Sequence, residues 1–70
     1  MTRRTTHLVR EGNYMAEVPV ELIEEEGGWS PYLSLEDALK LDDVRLALLR
    51  GDVATAAKHA RVFEVTPVSA

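Results

Sequence analysis

Cysteine is absent from the 70 residues. Disulfide staples, thiolate nucleophiles and Cys-based zinc sites are therefore excluded together. Aromatics are few: one Trp, two Tyr and one Phe. No apolar run approaches the roughly 18 residues that a membrane-spanning helix needs. The opening MTRRTTHLVREG carries charge but no apolar core, so it does not read as a signal peptide, and a cytoplasmic location is expected. Internal repeats and low-complexity segments are missing too.

Catalytic patterns are equally scarce. Ser30, Ser34 and Ser69 have no Asp-His arrangement around them, and Ser34 is better used as a helix cap. His7 and His59 stand far apart in the chain, without the spacing of a metal motif. Glu24, Glu25 and Glu26 cannot converge on one point if they extend a strand, because alternate side chains leave on opposite faces. The glycines of EEEGG lack the lysine and following helix of a phosphate loop. The expectation is a protein that is not an enzyme and takes no metal or cofactor. Direct nucleic-acid binding is not expected either. Arg3 and Arg4 make only a small basic arm, and the exposed face of the next strand offers Glu17 and Glu21.

What is present is acid, unevenly placed. Residues 1–10 carry Arg3, Arg4 and Arg10, residues 11–43 carry ten acids against Lys40, and residues 44–70 are basic again. A net charge of −4 thus hides an acidic middle, which suits a basic partner and repels nucleic acid and anionic membrane. The plainer reading is a solvated face that keeps a small protein soluble. At this length one domain, 1–70, is expected, and a chain so short buries only about 60% of its unfolded surface. Without disulfides or metal, a partner or a second copy is the remaining support.

The pattern along the chain predicts an α+β fold of order β-β-α-α-β, a small antiparallel sheet with helices on one face. Residues 1–5 read as a flexible N-terminal tail. TTHLVREG is a short strand ending in a Gly12-Asn13 turn. In the next strand Tyr14, Ala16, Val18, Val20 and Leu22 fall on one face. Pro19 cannot donate to a ladder, which predicts an edge strand; Glu17, Pro19 and Glu21 read as edge protection, and the edge is a docking candidate by strand addition although Pro19 opposes a long ladder. Gly27-Gly28 turns the chain, and Pro31 keeps WSPYL extended. SLED reads as a capping box led by Ser34, with Leu35, Ala38 and Leu39 at helical spacing. Asp42 can cap a restarted helix in which Val44, Ala47 and Leu48 recur, and Gly51 stops it. Asp52 caps a second helix, VATAAKHA, and RVFEVTPV is the last strand.

The segment Glu24–Arg45 gathers seven acids, two glycines, Trp29 and Tyr32. Two readings stand side by side. Trp29 folds back as a lid on the core beside Leu33 and Leu35, or Trp29 and Tyr32 form a docking surface of the kind aromatics dominate.

The words GWSPYLSLEDA, KLDDVR and RGD, over residues 8–68, resemble a group of small bacterial proteins, some of them antitoxins beside small toxin genes. A looser likeness is to HicB-type antitoxins, through AEVPVEL as the strand and SLEDA as the helix start. The chain departs from that pattern in lacking a PGC-like turn and an appended DNA-binding domain within these residues, and in carrying two helical runs before the last strand, so DNA autoregulation is not carried over. The resemblance implies an antitoxin-like module that neutralises a small basic toxin by direct binding. On that reading Glu24, Glu25, Glu26, Asp42 and Asp43 pair with toxin Arg or Lys, while Trp29 and Tyr32 fill an apolar groove. The alternative is a homo-oligomeric structural or regulatory protein, because VRLALL is apolar on more than one face.

Overall fold

The computed structural model describes residues 1–28 and 30–68. Trp29, and with it the choice between lid and docking contact, lies outside the described residues, as do residues 69 and 70. The elements are β1 (Thr2–Glu11), β2 (Tyr14–Ile23), β3 (Tyr32–Leu33), α1 (Leu35–Leu49), α2 (Val53–Ala56) and β4 (Arg61–Glu64). All pairings are antiparallel, so the α+β architecture is as expected, with one short strand, β3, added.

β1 and β2 pair along their whole length, from Thr2 opposite Ile23 to Glu11 opposite Tyr14. The hairpin closes over Gly12-Asn13, where Gly12 alone has positive φ, at 58°. That is the type II′ pattern, whose twist matches the flanking strands and which favours glycine at the first turn position. The expected N-terminal tail is corrected: Thr2–Thr5 are strand. The Met1 ammonium donates to the Glu24 carbonyl at 2.8 Å, and the Glu24 N–H donates to the Met1 carbonyl at 2.7 Å. Opposite charges across the pair, Arg3 with Glu24 at 3.2 Å and Arg4 with Glu21 at 3.8 Å, favour this register. A basic arm read as loose is held because the acids it needs lie on the facing strand.

A second correction concerns β2, which is the central strand and not an edge. β1 occupies one side. The other side is shared by β4, which pairs from Tyr14 to Glu17, and β3, which pairs at Leu22 and Ile23. Between them residues 18–21 have no ladder partner on that side, and Pro19 sits in this gap. The proline signal was sound about the missing N–H; it marks a break in one ladder of a central strand.

Alternation along β2 builds the core. Ala16, Val18 and Val20 are buried and share one face with Val9 of β1. Against them α1 lays Leu41, Val44, Ala47 and Leu48, and α2 adds Ala56. The opposite sheet face carries Leu8, Met15 and Phe63 among charged neighbours, with the Arg61 guanidinium 5.5 Å from the Phe63 ring centre.

α1 starts at Ser34, whose Oγ accepts from the Asp37 N–H at 3.1 Å. It runs unbroken through Asp42, where a second cap was expected. The Asp42 carboxylate instead meets Arg45 at 3.6 Å one turn on. An aspartate inside a helix costs well under 1 kcal/mol, less than the burial of Val44, Ala47 and Leu48 returns. Leu35 and Leu39, at helical spacing in the sequence, are exposed. At the C-terminus Gly51 N–H donates to Leu48 O (3.0 Å) and Asp52 N–H to Ala47 O (2.8 Å), a Schellman closure. α2 is one turn, not VATAAKHA. Asp52 caps it through the Thr55 N–H (3.2 Å) and hydroxyl (2.6 Å). The chain then turns through Lys58 and His59 because β4 must begin at Arg61, opposite Glu17.

Val18 and Val44 are the largest fully buried side chains, facing each other's layers across the sheet–helix boundary. Val44→Ala removes two methyl groups there and is expected to cost about 2 kcal/mol. For a domain of this size that is a fall in Tm of about 10 °C, read in a thermal unfolding curve. A shift under 2 °C would show that the layer interface is not the core.

Candidate functional site

The acidic segment begins where β2 ends. Glu25 O accepts from the Gly28 N–H at 2.9 Å, closing a four-residue turn. Its third position, Gly27, has φ of 78°, the type II pattern. Gly28 fits for a different reason: a Cβ there would lie 2.9 Å from the Glu25 carbonyl oxygen. The turn therefore requires its two glycines at 27 and 28, and it presents Glu25 and Glu26 to solvent.

The three glutamates have different environments. Glu24 is engaged by Arg3. Glu25 Oε1 accepts from the Tyr32 hydroxyl at 2.6 Å, which fixes the half-exposed ring (47%) beside the turn. That hydrogen bond to a carboxylate, with the desolvation and negative charge that accompany it, raises the Tyr32 phenol above its usual pKa. Glu26 is exposed and has no ion-pair partner among the described residues. The turn is thus a small ridge of acid and aromatic, partly neutralised by β1.

The predicted surface does not assemble in full. Asp42 and Asp43 are exposed, but they lie in the middle of α1. Two turns of helix, about 12 Å of rise, separate them from its start near the ridge. Asp42 is also paired with Arg45. The structure brings Glu24, Glu25, Glu26 and Tyr32 to one end of the sheet and leaves Asp42 and Asp43 on another surface.

A second feature was not expected. The gap beside Pro19 is filled by side chains from the first turns of α1. Asp37 Oδ2 accepts from the Glu21 N–H at 2.8 Å, and Lys40 Nζ donates to the Pro19 carbonyl at 2.6 Å. Asp37 and Lys40 also meet each other at 3.4 Å, with side chains only 16% and 26% exposed. Within a strand the N–H and C=O of one residue point the same way, so the side lacking a donor at Pro19 is the side Lys40 occupies. The expected strand-addition edge is therefore already occupied. The signal in the sequence was there: a proline inside a strand, and an acid and a lysine three apart early in a helix. The capping box is correspondingly half-formed, since Asp37 reaches across to β2 and not back to Ser34.

An open cleft of about 440 Å³ lies over this junction, lined by Arg4, Glu21, Ser34, Glu36, Asp37 and Lys40, with Pro19 and Val20 at its floor. A second of about 390 Å³, beyond Pro19, has His59, Arg61, Glu17 and Thr6 on its walls. Both carry acidic and basic side chains on their walls. Among the described residues no three His, Asp or Glu side chains gather as a metal-holding group, and no helix is long and apolar enough to cross a membrane.

The hydrogen bond from the Glu21 N–H, helped by Lys40, holds the Asp37 carboxyl below its usual pKa. A carboxyl depressed in the folded state contributes stability above its unfolded pKa and loses it as pH falls through the lower folded value. Asp37→Asn should therefore lower Tm at pH 7. The gap between variant and parent should narrow as pH drops below about 4, the ordinary aspartate range. A gap of constant size from pH 7 to pH 2 would refute an ionic role.

Comparison with protein-family models, with curated proteins and with solved structures yields no match for this chain.

Proposed function

We propose that this chain is a small, non-enzymatic protein-binding module of the antitoxin kind, which docks through the ridge after β2 onto a basic protein and neutralises it. One observation carries the reading. The Glu25–Tyr32 hydrogen bond holds an exposed aromatic against an acidic turn that two glycines shape. Fixing a tyrosine before binding lowers the entropy lost on binding, and Tyr is among the residues that dominate interface hot spots. Glu26 supplies the unpaired charge. Glu24 reinforces the local field while orienting the N-terminus through Arg3. The resemblance in GWSPYLSLEDA takes in Gly28 and Tyr32 of this ridge and the start of α1.

A basic ribonuclease-like toxin fits this chemistry, since an acidic surface can cover the groove that binds its RNA. Asp42 and Asp43 lie outside the proposed contact. Electrostatic docking also implies salt dependence, because exposed charges are screened beyond about 8 Å at physiological ionic strength.

The test is affinity capture from the native cell with tagged parent and with a Glu25→Lys/Glu26→Lys variant, at low and high salt, followed by mass spectrometry. One small basic protein should co-purify with the parent at near-equal stoichiometry. Its recovery should fall about tenfold or more with the variant at low salt. Equal recovery by parent and variant would refute the ridge as the contact, and capture of no basic protein would refute the function.

A further inference from the structure

The outer side of α1 carries an apolar stripe that the fold does not use. Leu35, Leu39, Leu46 and Leu49 are 75%, 54%, 52% and 61% exposed. With Asp42 they recur at spacings of four, three, four and three, the heptad pattern of a helix–helix seam. At 100° per residue this stripe is centred about 170° around the helix from the buried Leu41, Val44, Ala47 and Leu48. α1 is therefore apolar on two opposite sides, one covered by the sheet and one uncovered among the described residues.

We propose that a second copy of this chain covers the stripe, its α1 running antiparallel across a two-fold axis at Asp42. The stripe is nearly symmetric about that residue. Leu35 and Leu49 stand seven positions either side, and Leu39 and Leu46 stand three and four away. A two-fold interface must be self-complementary in this sense, with each patch meeting its own reverse. The antiparallel arrangement sets Leu35 of one copy against Leu49 of the other, and Leu39 against Leu46.

The flanking charges choose the direction. Glu36, Asp43 and Arg50 run along one border of the stripe, and Arg45 lies on the other. Antiparallel packing puts Glu36 of one copy beside Arg50 of the other, twice, and opposes the helix dipoles; it also brings the two Asp43 side chains together near the axis, adding to the cost there. Parallel packing instead sets Arg45 of one copy beside Arg50 of the other, a like-charge contact repeated on both sides. At the axis the two Asp42 carboxylates approach each other, each accompanied by its own Arg45 at 3.6 Å. That polar centre fixes the register at the expense of affinity. A seam about 22 Å long, smaller than a standard interface, together with this charge contact, sets the dissociation constant near micromolar. The dimer is a four-layer sheet–helix–helix–sheet body. Glu25, Glu26 and Tyr32 are not part of the stripe, so the dimer does not rest on the docking function above.

Sedimentation equilibrium of the full chain, from about 1 to 500 µM to bracket that affinity, is the test. Parent protein should move between the 7.8 kDa monomer and twice that mass. Leu39→Glu/Leu46→Glu should raise the dissociation constant by roughly 100-fold or more, with the far-UV circular dichroism spectrum unchanged because both leucines are over half exposed. Asp42→Leu completes the stripe and should tighten the dimer by about tenfold or more; it reads out even if the double variant folds poorly. For direction, Glu36→Lys and Arg50→Glu should each weaken association, and the two together should restore it to within about threefold of the parent. A monomer at every concentration, or a dimer indifferent to Leu39→Glu/Leu46→Glu and to Asp42→Leu, overturns the proposal. Weakening by both single reversals without recovery in the double overturns the antiparallel geometry.

Discussion

The gap in the second ladder of β2 is the constraint on which the rest of the arrangement hangs. A central strand must satisfy its backbone groups on both sides. On one side β1 does so for its full length, but on the other two short strands meet only its ends. Pro19 removes one donor from the unpaired stretch. The Glu21 N–H and the Pro19 carbonyl remain, and the fold answers them with an Asp and a Lys one helical turn apart. Those two bonds pin the start of α1 to the sheet. They act together with the burial of Leu41, Val44, Ala47 and Leu48, which seats the inner side of the helix on the sheet and leaves the opposite stripe outward.

Charge shows the same interplay between chain and fold. In linear order the protein is basic, then strongly acidic, then basic. In space the first strand folds its arginines against the acids of β2 and its turn, so the acidic middle is cut into separate pieces. What remains as an acidic recognition feature is a ridge of a few residues with an immobilised tyrosine. This is a more discriminating surface than a diffuse negative face. A field of many charges attracts any cation, whereas a ring held in one position by a 2.6 Å hydrogen bond selects for shape.

α1 is the element in which two demands overlap. Its inner side closes a small core. Its outer side keeps four leucines in water, a cost that a chain burying little surface can hardly carry without return. The two surfaces assigned to recognition use different residues: Glu25, Glu26 and Tyr32 form the ridge, and the outer stripe begins three positions later at Leu35 and runs the length of α1.

The hairpin, the Ser34 cap, the Gly51 stop, the Asp52 cap and the α+β class were legible in the sequence, because each rests on neighbours only a few positions apart. The alternation of Ala16, Val18 and Val20, and the 3–4 spacing of Val44, Ala47 and Leu48, likewise named the core faces. The acidic, glycine-bent segment was legible as unusual. What the sequence could not supply was any fact that depends on which strand lies beside which. Pro19 announced a missing donor without saying that β2 was central. Asp37 looked like a capping partner until Glu21 was placed across from it, and the arginines at positions 3 and 4 looked like a tail until Glu21 and Glu24 lay opposite. Leu35 and Leu39 have helical spacing of their own, but they fall opposite Val44, Ala47 and Leu48 because α1 runs unbroken through Asp42, where the sequence offered a second cap. Local hydrogen bonds and periodicity are properties of the chain and were determined by it alone. Pairing, charge neutralisation and the side of a helix left bare are contacts between distant segments, and the tertiary structure decided them.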